Sequence, residues 1–80
     1  MKVIITKYFV QTDTQWARFA ASVEGHRATI RRNYELDMVE NHAAAAMALR
    51  HKLGWKGKLV GGILPDGNMA WVPKDEIEIE

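Results

Sequence analysis

Apolar positions recur at two different spacings along these 80 residues. In the first 34 residues and again after residue 57 they tend to alternate with polar ones, the period of a half-buried strand. Between residues 37 and 53 they fall three and four apart, the period of a helix resting on a core. Lys2 to Val10 is rich in β-branched and aromatic residues and predicts a first strand, and the polar run Gln11 to Thr14 predicts a turn. Gln15 to Val23 and Arg27 to Tyr34 predict two further strands. Between them, Glu24-Gly25 has the chemistry of a tight hairpin, because glycine takes positive φ at little cost.

One register sorts that hairpin. If Val23 pairs with His26, then Ala21 faces Ala28, Phe19 faces Ile30 and Ala17 faces Arg32. This side is mostly apolar and should face the core. The opposite side then presents Ser22 with Arg27, Ala20 with Thr29, Arg18 with Arg31, and Trp16 with Asn33. A slip of one residue would turn Arg18 and Arg31 inward, which burial of unpaired charge forbids.

The helix is predicted over residues 37–53. Asp37 is a good N-cap, and Glu40 three residues later completes a capping-box pattern. Four consecutive alanines, Ala43 to Ala46, carry high helix propensity, and Val39, Ala43, Ala46, Leu49 and Leu53 form the expected buried stripe. Arg50, His51 and Lys52 suit the negative end of the helix dipole, and Gly54 is a natural stop. Lys58 to Leu64 predicts a fourth strand. Pro65-Asp66-Gly67-Asn68 predicts a turn, Met69 to Val72 a fifth strand, and Pro73 its end. Gly61-Gly62 inside a strand points to a bulge or a close approach. Asp75 to Glu80 reads either as a short sixth strand or as a frayed tail.

The order β-β-β-α-β-β predicts a single α+β domain spanning residues 1–80. One helix packs on one face of a five-stranded antiparallel sheet, and the other face is left open. The place of the first strand stays undecided between the side of the hairpin and the gap between the two halves.

Composition narrows the chemistry. The chain has no cysteine, which removes disulfides, thiolate metal sites and cysteine nucleophiles. No apolar run is long enough for a membrane span and no secretory leader is evident, so a cytoplasmic protein is expected. His26, His42 and His51 match no metal-ligand spacing, and His42 is expected to be packed and hydrogen-bonded. Ser22 is the one serine and sits in a strand rather than on a nucleophile elbow. The carboxylate pair Asp37 and Glu40 is explained by capping, and Asp75 with Glu76 by a solvated end. The glycines and lysines of residues 54–62 follow a helix instead of preceding one, the wrong order for a phosphate cradle. No catalytic residue, metal or cofactor is predicted.

Two surfaces remain as candidates. The formal net charge is only +1, but residues 1–74 hold all eleven Lys and Arg against six acids, a net +5, and residues 75–80 hold four acids and no base. The first candidate is the hairpin side with Trp16, Arg18, Arg27 and Arg31, which Lys2, Lys7 or Tyr8 could extend. Arginine and aromatic groups on an open sheet stack single-stranded bases in some folds, and they are also common anchors of protein interfaces. The second is the acidic end, Asp75, Glu76, Glu78 and Glu80. Its extended spacing of about 6.5–7 Å between alternate side chains resembles that of phosphates along a nucleic-acid strand.

The run Leu36-Asp37-Met38-Val39-Glu40-Asn41-His42-Ala43-Ala44-Ala45, closed by Leu53-Gly54-Trp55 and followed by Leu59-Val60-Gly61-Gly62 and Pro65-Asp66-Gly67, resembles small orphan proteins of phages and prophages. In layout it is similar to some type I anti-CRISPR proteins. The likeness covers residues 36–72, and the first 35 residues share only the strand pattern. The resemblance implies a non-catalytic, phage-encoded inhibitor in the host cytoplasm. Such an inhibitor would bind subunits of a type I CRISPR effector (Cascade) complex and block recruitment of target DNA. A small nucleic-acid-binding module using the basic, aromatic sheet face is the alternative.

Overall fold

The computed structural model describes residues 3–74. Strands β1 (Ile4–Phe9), β2 (Arg18–Val23) and β3 (His26–Arg31) precede helix α1 (Met38–Leu53), and β4 (Leu59–Ile63) and β5 (Met69–Pro73) follow it. All neighbouring strands are antiparallel, in the order β3-β2-β1-β5-β4. The first strand is therefore central: it lies beside the N-terminal hairpin and also joins the two halves. Its alternation explains this place. Ile4 and Thr6 are fully buried on the core side, so β1 needs cover and paired neighbours at both edges.

The hairpin adopts the register that keeps the arginines out, with Val23 opposite His26 and Arg18 opposite Arg31. Glu24 and Gly25 both take positive φ, 42° and 84°. That is the twist-matched two-residue turn that brings antiparallel strands together without splaying them.

Helix α1 packs across β1, β2 and β3. Asp37 accepts from the Glu40 backbone N–H at 2.7 Å, and Glu40 reaches back to the Asp37 N–H at 3.2 Å. At the other end Gly54 takes a left-handed conformation, φ 71°, and Trp55 N–H donates to the Arg50 carbonyl. The buried side of the helix is Asn41, His42, Ala45, Ala46 and Leu49, which rotates the predicted stripe: Val39 is 47% exposed. The rotation follows from Asn41. Its side chain accepts from Asn33 N–H and donates to the carbonyls of Asn33, Leu36 and Asp37, all between 2.8 and 3.2 Å. A fully buried amide with those contacts sews the β3–α1 connection to the first turn of the helix and fixes which face turns inward.

The helix leaves β5 and β4 largely to Trp71. Gly61 and Trp71 are cross-strand partners, and the indole lies across the glycine. A Cβ built on Gly61 would meet the ring at 2.3 Å. The other end of the indole reaches β1, where Nε1–H donates to Thr6 Oγ1 at 3.0 Å. Close approach, not a bulge, is the reason for glycine at 61. Gly61→Ala is expected to destabilise by about 1–3 kcal/mol through overpacking. Gly62→Ala, where an added methyl meets nothing within 4 Å, should be neutral. Paired thermal melts check this, and equal midpoints for the two variants would count against the close-approach reading.

Thr6 Oγ1 also lies 2.7 Å from His42 Nδ1 and 3.4 Å from the Met69 carbonyl. The His42 and Phe19 rings meet edge to face, 4.9 Å between centroids. Burial lowers the His42 pKa below the ordinary imidazole value of 6.5. The unfolded chain therefore binds a proton that the native chain refuses, so stability is complete above pH 6.5 and falls as pH drops toward the folded value. Thermal melts on acidification should show a steeper fall for the native protein than for His42→Gln. Parallel curves would remove His42 as the source.

Element ends differ modestly from the sequence reading. β2 starts at Arg18 and β3 stops at Arg31, since the 15–17 and 32–34 segments carry the chain into and out of the sheet. Pro73 does not stop β5: it pairs with Leu59, and the next bond is made by Lys74 N–H to the Lys58 carbonyl at 2.8 Å. A proline at a position that makes no bond to β4 is tolerated. Among the described residues, no helix is long and apolar enough to cross a membrane.

Candidate binding face

Strand parity builds the face opposite the helix. Lys7 and Phe9 come from β1, Arg18, Ala20 and Ser22 from β2, and Arg27, Thr29 and Arg31 from β3. Trp16 enters from the loop before β2 and is 62% exposed, so residues 11–14 do not cover it. The sheet thus brings together the four hairpin residues expected from sequence and adds Lys7. Tyr8 points to the other side, where it stacks on Phe19 and accepts from Arg32 Nη1 at 3.0 Å. Lys2 lies outside the described residues, as do Asp75, Glu76, Glu78 and Glu80.

Phe9 is the residue of this face that the hairpin pattern alone does not reveal. The Arg18 guanidinium sits 4.7 Å from its ring centroid and that of Arg27 6.0 Å, while Arg31 lies 4.9 Å over Trp16. Phe9 stands two residues after Lys7, and that spacing is the signal that places both on one side of a strand. The rings hold the guanidinium planes in place through cation–π attraction. Ala20 is only 6% exposed although it belongs to the open face.

The electrostatics are one-sided. Arg32 N–H bonds to the Ala17 carbonyl, which makes Arg18 and Arg31 one of the closely spaced, non-hydrogen-bonded pairs of the β2–β3 ladder. Like charges directly opposite each other destabilise a sheet. No carboxylate offsets them: among the described residues, Lys7, Arg18, Arg27 and Arg31 make no ion pair. Two shallow depressions mark the surface. One is lined by Lys7, Phe9, Ala20, Ser22 and Arg27, the other by Trp16, Arg18, Thr29 and Arg31 with neighbouring loop residues. A cationic, aromatic, uncovered surface of this kind attracts anions carried by a flat or extended partner.

Of the histidines, His42 is buried in the core contact described above, and His26 and His51 are exposed, one at the start of β3 and the other in the last turn of α1. Among the described residues no three His, Cys, Asp or Glu side chains gather as a metal site. Asp37 and Glu40 are engaged in capping. No protein-family model matches the chain, and no curated protein or solved structure matches it significantly.

Proposed function

We propose that the protein is a non-catalytic binding module whose open sheet face takes single-stranded nucleic acid. The observation that carries the reading is the arrangement of Lys7, Arg18, Arg27 and Arg31 around Phe9 and Trp16 on one face, with no neutralising acid among the described residues. Phosphates relieve the repulsion between the opposed arginines, and bases stack on exposed Trp16 or on guanidinium planes already held flat by rings. Fluorescence anisotropy with a labelled single-stranded oligonucleotide tests this at two salt concentrations. Binding that weakens steeply with salt supports it, and no binding at low salt ends it.

The second reading is the inhibitor of a type I CRISPR effector complex that blocks recruitment of target DNA. It is favoured by the same residues, because arginine and tryptophan are frequent anchors of protein interfaces. It predicts capture of effector subunits by the tagged protein, loss of target-DNA binding by the complex, and no appreciable affinity for free oligonucleotide. Reversing the charge of Asp75, Glu76 and Glu78 tests whether the acidic end takes part.

A further inference from the structure

The two outer edges of the sheet are not equivalent. On β3 the odd-numbered residues present their backbone groups outward, because Arg32 N–H to Ala17 sets the even-numbered ones against β2. There Lys52 reaches over from the helix and its ammonium donates to the Arg27 carbonyl at 2.8 Å. Arg27 and Arg31 place charge along the same edge. A lysine on an edge strand is a recurring guard against strand addition.

Among the described residues, no lysine reaches over the β4 edge. Lys74 N–H to Lys58 and Leu64 N–H to Asn68 set the even-numbered residues of β4 against β5. Leu59, Gly61 and Ile63 therefore turn their N–H and C=O groups to the free edge. No charged residue stands between Lys58 and Asp66, Ile63 is 70% exposed and Val60 44%.

We infer that β4 pairs antiparallel with β4 of a second copy of this chain, making a ten-stranded sheet in a two-fold dimer. The strand complements itself. Centred on Gly61, the register sets Leu59 opposite Ile63 of the second copy as a hydrogen-bonded pair, and all three outward residues find partners. Val60 falls opposite the bare Gly62. Antiparallel pairing brings the Lys56–Lys58 end of one strand to the Asp66 end of the other, whereas parallel pairing sets like charges together. A two-fold axis normal to the sheet keeps both helices on one side. Assembly stops at two because the remaining edges are those that Lys52 closes. Five residues a side bury less than the roughly 1,000 Å² of a stable interface, so the dimer is weak and concentration-dependent.

Sedimentation velocity over a concentration series tests this independently of any ligand. The native protein should pass from monomer to dimer and no further. Ile63→Lys should remain monomeric throughout with an unchanged circular dichroism spectrum. A second variant reads the register directly: Val60→Cys with Gly62→Cys, in a chain otherwise free of cysteine, should cross-link into disulfide dimers on oxidation, since non-hydrogen-bonded pairs bring side chains close. A native protein that stays monomeric at its highest soluble concentration overturns the proposal. So does a dimer that survives Ile63→Lys, growth into open polymers, or a double-cysteine variant that gives no covalent dimer.

Discussion

Replacing Arg18, Arg27 and Arg31 together by alanine is expected to abolish binding of single-stranded oligonucleotide while leaving the fold intact. Counterion release gives a slope of log K against log salt of about −0.7 per phosphate neutralised. If all four cations of the face take part, the native slope is about −3, and each single Arg→Ala variant lowers its magnitude by about 0.7. Trp16→Ala should behave differently. Loss of one stacked base costs about 1–3 kcal/mol in affinity, with little change in salt slope. The sign of the stability change adds a check. Arg18 and Arg31 are directly opposed and pair with no acid among the described residues, so removing them relieves repulsion. That gain is set against cation–π contacts worth about 0.5–1 kcal/mol each. Circular dichroism and thermal midpoint should therefore stay near native. Retention of native affinity and slope by the triple variant would assign binding to some other surface. Unfolding of the triple variant would mean that these residues hold the hairpin together.

Thr6→Val should be the most destabilising of the near-isosteric changes in the core. The hydroxyl is a hub: it accepts from Trp71 Nε1 at 3.0 Å and meets His42 Nδ1 at 2.7 Å. Valine has nearly the same shape but offers neither bond. Each buried polar group left without a partner costs about 1–3 kcal/mol, so the pair amounts to about 2–6 kcal/mol. Domains of this kind are stable by roughly 0.05–0.15 kcal/mol per residue, so the loss is a large share of the total. Thr6→Ser keeps the hydroxyl and gives up one buried methyl, an effect nearer 1 kcal/mol. Urea unfolding of the three proteins separates hydrogen bonding from packing. Should Thr6→Val unfold at the native midpoint, Trp71 and His42 are not held by this hydroxyl.

Stability is expected to come from one side of the molecule and the proposed binding from the other. Thr6, His42, Phe19 and Trp71 tie three strands and the helix together on one side. On the other side the cations lie over rings, Arg18 over Phe9 and Arg31 over Trp16.

The local elements and one long register were legible in the residues before any fold was known. Asp37 with Glu40 and Gly54 set the helix ends through backbone groups a few residues away, and Glu24-Gly25 with the alternation on either side set the hairpin pairing. Each of these rests on contacts between near neighbours in the chain. Only the tertiary structure decided what depends on distant partners. The central place of β1 follows from two fully buried residues that need strands on both flanks. The inward face of α1 was turned from Val39 toward Asn41 and His42 by a hydrogen-bonding need at the β3–α1 connection, which a helical wheel does not contain. The necessity of glycine at 61 and the hub at Thr6 arise from one indole that crosses from β4 to β1. The candidate face divides in the same way: Arg18, Arg27 and Arg31 share a side by hairpin register alone, whereas Trp16 reaches it from the loop before β2, and Lys7 and Phe9 join them because the sheet lays β1 beside β2.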